Sequence, residues 1–200
     1  MPDIDKSFIE PLTANFEKID TDKDGYMSSD ELSSASVSNR FSKEVQETIG
    51  IAGKHLSGIS CENLDKGSVK AGRAEIAPTK DEYSGISQKD LSRLSTRAQR
   101  MKDEEALANY GLSKFEIIDR NNDQIIDLKE AEGSRLYREF YNIAHVVRTS
   151  NELRTNPYGK PEHYKSHHYG INRPDLEAYP SKVLNQPKNH NLRDILKDLD

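Results

Sequence analysis

The chain has 200 residues, enough for one or two domains, and only 34% of them are hydrophobic, with a mean hydropathy of −0.87, so the core is modest. Lys and Arg number 29 against 34 Asp and Glu, a net charge of −5, which argues against nucleic acid as an electrostatic partner. No run approaches the ~20 apolar residues of a membrane span, MPDIDKSF has no signal-peptide core, and the single Cys61 forbids an internal disulfide; these features favour a reducing, cytoplasmic setting.

The first element is an amphipathic stretch. Phe8, Leu12, Phe16 and Ile19 recur at spacings of four, four and three, which is one face of a helix. Ser7-x-x-Glu10 reads as its capping box, with Pro11 in the first turn. The helix runs into DTDKDGYMSSDE, Asp20 to Glu31. These twelve residues carry side-chain oxygens at positions 1, 3, 5, 9 and 12: Asp20, Asp22, Asp24, Ser28 and Glu31. A hard cation such as Ca²⁺ takes about six to eight oxygens at ~2.3–2.6 Å, and a short curled loop can supply them. Gly25 at position 6 permits the positive φ of a sharp turn. Tyr26 offers its carbonyl, Ser28 reaches the ion directly or through water, and Glu31 closes the shell with two oxygens. Met27 is placed to form a short strand. Leu32 and Ala35 begin an outgoing helix face.

Phe41, Val45, Ile49, Ala52 and Leu56 mark the next helix. It leads into Ser57-Gly58-Ile59-Ser60-Cys61-Glu62-Asn63-Leu64, which closely matches Ser84-Gly85-Ile86-Ser87-Gln88-Lys89-Asp90-Leu91. Both align with the back half of the first loop, Gly25 to Leu32, and both lack ligands in their front halves. Residues 67–80, within a Gly-, Lys- and Ala-rich stretch, read as a linker. Residues 91–118 have helical composition, weakened a little at Gly111.

A second loop follows, DRNNDQIIDLKE, Asp119 to Glu130. It offers Asp119, Asn121, Asp123, the carbonyl of Ile125, Asp127 and Glu130. Leu107, Phe115 and Ile118 repeat the incoming face, and Leu136, Phe140, Ile143 or Ala144, and Val147 form an outgoing helix. Position 6 holds Gln124 instead of Gly. Positive φ there costs roughly 1–2 kcal/mol, so this site is expected to bind more weakly or more slowly than a Gly variant.

Residues 151–190 hold five Pro, four Tyr and four His with no sustained period, and the X-Pro pairs favour extended or turn backbone. This predicts a tail that wraps the surface or stays disordered. His163, His167 and His168 invite a zinc reading, but no fourth ligand is nearby, and a solvated segment is the simpler expectation. The last ten residues differ. Leu192, Ile195, Leu196 and Leu199 form one stripe of a short amphipathic helix starting at His190 or Asn191.

The first loop fits D-x-[DN]-x-[DN]-G-x5-E at every fixed place, and the chain therefore resembles the EF-hand calcium-binding family. The resemblance implies an all-α fold of helix-loop-helix pairs with short antiparallel loop strands, followed by an irregular C-terminal tail. In a calmodulin-like layout, residues 1–66 form one pair and residues 81–150 another, with 151–200 as the tail. Met27 then lies opposite Ile59, and Ile86 opposite Ile126, the outer loops holding Ca²⁺ and the inner two degenerate. The function implied is a non-catalytic Ca²⁺-responsive sensor or regulator with a hydrophobic groove. Its partner is either a protein target or the chain's own C-terminal helix. With three Met in the chain, a Met-rich promiscuous groove is not expected. The alternative is a structural or buffering Ca²⁺ module. An enzyme or effector with its chemistry in the tail is a third reading, disfavoured because neither the His group nor Cys61 has an assignable base or orienting partner.

Overall fold

In the computed structural model, which describes residues 3–60, 85–148 and 170–200, the first apolar stripe forms a helix that starts earlier than its capping motif predicts. A π-helical turn spans Asp5–Ile9, followed by α1 (Glu10–Ala14) and α2 (Phe16–Ile19). Ser7 therefore lies inside the helix, donating its N–H and its hydroxyl to the Asp3 carbonyl at 2.9 and 2.8 Å. The cause is Pro11. It has no N–H for the Ser7 carbonyl, and its ring crowds that carbonyl, which a wider turn relieves. The Thr48 hydroxyl, bonded to Glu44 O at 2.9 Å, approaches the same carbonyl at 3.4 Å. Phe8, Leu12, Phe16 and Ile19 are all buried, as their spacing requires.

Strand β1 (Tyr26–Met27) follows the first loop, and Ser28 caps α3 (Ser29–Ser36), which buries Leu32 and Ala35. Ser42 caps α4 (Lys43–Lys54), which packs on α3 and α1. The expected strand at Ile59 does not form. The segment enters α5 (Leu56–Ser60), with Gly58 and Ile59 both donating to the His55 carbonyl at 3.0 Å. No turn-forming stretch separates it from α4, so helical bonding resumes. Ile59 is buried as a helix residue.

The two sheets are antiparallel and two-stranded. Strand β1 pairs with β2 (Ile86–Ser87), Met27 opposite Ile86. Strand β3 (Ile126–Asp127) pairs with β4 (Gly170–Ile171), Ile126 opposite Ile171. The expected pairings, Met27 with Ile59 and Ile86 with Ile126, are thus replaced by partners further along the chain. Each partner strand is admitted by a glycine. At Gly85, with φ +139°, a β-carbon would stand 2.3 Å from Met27 O. At Gly170 it would stand 2.0 Å from the Ile125 side chain.

Helix α6 (Gln88–Ile118) follows β2, and α7 (Leu128–Ala131) follows β3. The second outgoing helix is broken where Gly133 takes φ +83°. It resumes through a 3₁₀ turn at Tyr137–Glu139 and α8 (Phe140–Arg148), burying Leu136, Phe140, Ile143, Ala144 and Val147.

Residues 170–189 are ordered into elements, contrary to the irregular tail expected, whereas the short amphipathic helix at the end forms where its stripe places it. Asn172 caps α9 (Arg173–Leu184) in a capping box with Asp175. Pro174 falls in the first turn, where its missing N–H costs nothing, so an X-Pro pair becomes a helix start. Pro180 lies inside α9. The helix is pinned by three buried residues, Leu176, Tyr179 and Val183, and by Lys182, which donates to the Val147 carbonyl at 2.8 Å. The Tyr179 hydroxyl bonds the Glu104 carboxylate, and burial together with that acid pushes the phenol pKa up. A 3₁₀ turn at Pro187–Asn189 leads to α10 (His190–Leu199).

Two compact units result. One comprises residues 1–99 and 190–200, the other residues 100–189. Among the described residues, both are built mainly of helices, each with one short sheet. No helix among the described residues is long and apolar enough to cross a membrane.

Gly85→Ala is expected to destabilise the first unit by at least about 2 kcal/mol, combining left-handed strain with a backbone clash. Urea denaturation followed by circular dichroism checks this; an unchanged midpoint would mean that β2 does not sit on Met27.

Candidate functional site

The two twelve-residue loops take the same backbone path. Positive φ occurs at position 4, Lys23 (59°) and Asn122 (57°), and at position 6, Gly25 (91°) and Gln124 (68°). The Gln124 side chain thus stands where a Cβ is strained, as its sequence position suggested. Two left-handed residues, separated by one, curl the chain so that alternating side chains turn toward a common centre.

Hydrogen bonds hold that curl, and they match loop for loop. The carboxylate at position 1 accepts from the amide at position 6: Gly25 N to Asp20 Oδ2 at 3.1 Å, Gln124 N to Asp119 Oδ2 at 3.0 Å. Position 3 accepts from the amide of position 5, Asp24 N to Asp22 Oδ1 at 3.2 Å and Asp123 N to Asn121 Oδ1 at 2.8 Å. Position 5 accepts from position 7, Tyr26 N to Asp24 Oδ1 at 2.8 Å and Ile125 N to Asp123 Oδ1 at 2.9 Å. Each Asx-type turn uses one oxygen of its side chain.

Position 12 ties the loop ends together. Glu31 Oε1 accepts from Thr21 N at 2.6 Å, and Oε2 from Ser28 N at 2.9 Å. Glu130 does likewise with Arg120 N at 3.0 Å and Asp127 N at 3.1 Å. Positions 9 and 12 are also the capping boxes of α3 and α7. One carboxylate therefore closes the loop and starts the outgoing helix. Burial pushes the Glu31 carboxyl up, but donors on Ser28 and Thr21 outweigh it and hold the pKa at about 2 instead of 4.5.

The first loop has features the second lacks. The carboxylate oxygens of Asp20, Asp22 and Asp24 lie within 4.8 Å of one another. Asp20 is buried, and its Oδ1 has no hydrogen-bond partner. A buried carboxylate oxygen without a donor is costly, and a cation would satisfy it. In the second loop both Asp119 oxygens accept backbone bonds, from Asp123 N at 3.2 Å and Gln124 N. There the Asn121 amide donates to Asp123 Oδ2 at 3.1 Å, so a neutral donor occupies part of the cradle.

The partner half-loops carry the same local device. Asp90 Oδ2 accepts from Ser87 N at 2.9 Å, and Asp175 Oδ2 from Asn172 N at 3.1 Å. The second of these escaped the sequence reading, although its signal was present: Gly170-Ile171-Asn172-Arg173-Pro174-Asp175-Leu176 parallels Gly85-Ile86-Ser87-Gln88-Lys89-Asp90-Leu91. Cys61, His163, His167 and His168 lie outside the described residues.

No family model, curated protein or solved structure matches this chain.

The depressed Glu31 pKa gives a signed pH dependence. Its contribution to stability is present above about pH 4.5 and is lost as pH falls toward about 2. Cation-free urea titrations across that window should show a stability loss in the wild type that is smaller in Glu31→Gln. Equal slopes in both proteins would mean that the loop-closing bonds do not form.

Proposed function

We propose that the chain is an EF-hand-type calcium-binding protein with two metal loops, each braced by a degenerate half-loop, acting as a Ca²⁺-responsive binding module. In the first loop Asp20, Asp22, Asp24, the Tyr26 carbonyl, Ser28 and Glu31 would hold the ion. In the second the set is Asp119, Asn121, Asp123, the Ile125 carbonyl, Asp127 and Glu130. The observation that carries the reading is the unpartnered, buried Asp20 Oδ1 on a carboxylate clustered with those of Asp22 and Asp24; Asp90 Oδ1, also buried and unpartnered, belongs to no such cluster among the described residues. A ring of oxygen-only donors suits Ca²⁺ better than Mg²⁺, which wants a tighter octahedron, or zinc, which wants nitrogen and sulfur. When bound, the ion supplies positive charge that offsets the repulsion among the clustered carboxylates.

The chain's own residues do the rest. The position-6 amide orients the first carboxylate, and the short sheet stiffens the back of each loop. The glutamate at position 12 couples the cradle to the first turn of the outgoing helix. A buffering or structural reading keeps one supporting observation: both glutamates are tied into the capping boxes of their outgoing helices, a fixed arrangement that suits an ion which holds the fold.

Calorimetry with Ca²⁺ and Mg²⁺ tests the proposal. Two Ca²⁺ sites are expected, with Mg²⁺ weaker. Glu31→Gln should remove or strongly weaken one of them. Gln124→Gly should tighten the other by about five- to thirtyfold, the worth of about 1–2 kcal/mol of relieved strain. No heat of Ca²⁺ binding in the wild type would overturn the reading. A hydrophobic dye separates the two versions, because a responsive module exposes apolar surface on binding and a buffer does not.

A further inference from the structure

The C-terminal helix is an unusual member of its unit. Helix α10 reaches the first unit only after the whole of residues 100–189 has intervened. It buries Leu192, Ile195 and Leu196, and half-buries Leu199. Among the described residues, its polar attachments to other elements go to the α4–α5 corner. Asp198 bonds Lys54 Nζ at 2.8 Å and His55 Nε2 at 2.6 Å. The Asn191 amide donates to the Gly58 carbonyl at 2.6 Å. Gly58 is shaped for that contact, since a β-carbon there would stand 2.7 Å from Asn191 Oδ1. Ten residues of helix are marginal in water by themselves, so α10 owes its helicity to this seat. It has the form of an amphipathic helical ligand supplied in the same chain.

That seat is physically continuous with the first loop. Glu31 belongs both to the loop closure and to the first turn of α3. The next residue, Leu32, is buried against α4, where a β-carbon on Gly53 would stand 3.8 Å from Leu32 Cβ. Lys54 and His55, which grip Asp198, directly follow Gly53. A path of adjoining residues thus runs from the cradle through α3 and α4 to α10. The seated helix and the curled loop coexist in one structure, so neither excludes the other.

We infer that α10 is a self-ligand of the first unit, and that its seating and cation binding at Asp20–Glu31 each strengthen the other. The inference rests on the cation reading above and adds its regulation. Whatever dislodges α10, such as a competing amphipathic helix with apolar residues at the spacing of Leu192, Ile195, Leu196 and Leu199, would weaken the first loop's grip. The coupling is reciprocal by thermodynamic necessity.

Hydrogen exchange on the full chain, with and without Ca²⁺, tests this. Amides of residues 192–199 should exchange at least about fivefold more slowly with Ca²⁺, the low end of ordinary coupling, and Glu31→Gln should abolish the slowing. Ile195→Asp, which puts a charge at a buried α10 position, should weaken the first site by at least about fivefold and leave the second as an internal reference. Should that variant fail to fold, the wild-type exchange experiment decides alone. Ca²⁺ bound at the first loop with no change in α10 exchange would overturn the coupling and spare the cation reading. No Ca²⁺ at the first loop would overturn both.

Discussion

Each loop turns on one buried carboxylate. Asp20 and Asp119 lie at the ends of helices, reach across the curl and accept the amide of position 6. That bond fixes the ring. Without it the two left-handed residues between would have no reason to stay left-handed, and the side chains at positions 3 and 5 would have no common centre. An acid is required because one oxygen must take the amide while the other stays available. In the first loop that second oxygen is buried and without a partner. In the second it is spent on another backbone amide, which is the clearest physical difference between the two cradles.

The same economy governs the far end of each loop. Glu31 and Glu130 serve as loop closures and as the third residue of a capped helix. A side chain with two such duties transmits change. In the proposed reading, a cation drawing on that carboxylate would bear on the first turn of the outgoing helix and, through packed neighbours, on what lies beyond. The proposed role of α10 follows from that geometry, because its seat begins where the packing against α3 ends.

Local chemistry was legible in the sequence, and pairing was not. The turn-forming side chains at positions 1, 3, 5 and 12 of each loop, the positive φ at Gly25 and Gln124, and the buried stripes at Phe8 to Ile19 and Leu136 to Val147 all follow from spacing. The choice between Ile59 and Ile86 as the partner of Met27 does not. Both lie in a Ser-Gly-Ile-Ser string, and what separates them is that helical bonding resumes after His55 and carries Ile59 into α5, while Gly85 takes φ +139° and admits Ile86 to the strand. The partner of Ile126 was missed for another reason. Its strand stands among prolines, and Pro174 read as a breaker when it was a helix start capped by Asn172. Leu192, Ile195 and Leu196 marked α10 clearly, whereas their burial depended on an attachment site more than 130 residues away, at Gly58.

The most direct test watches the position-6 amides. In a two-dimensional ¹H–¹⁵N titration with Ca²⁺, the resonances of Gly25 and Gln124 should each move strongly downfield and reach a plateau, one equivalent of Ca²⁺ being taken up at each loop. An ion on the Asp20 and Asp119 carboxylates would reorganise and polarise the hydrogen bonds those amides make. If both resonances stay in place while excess Ca²⁺ is added, neither ring is a cation cradle, and the account fails at its centre.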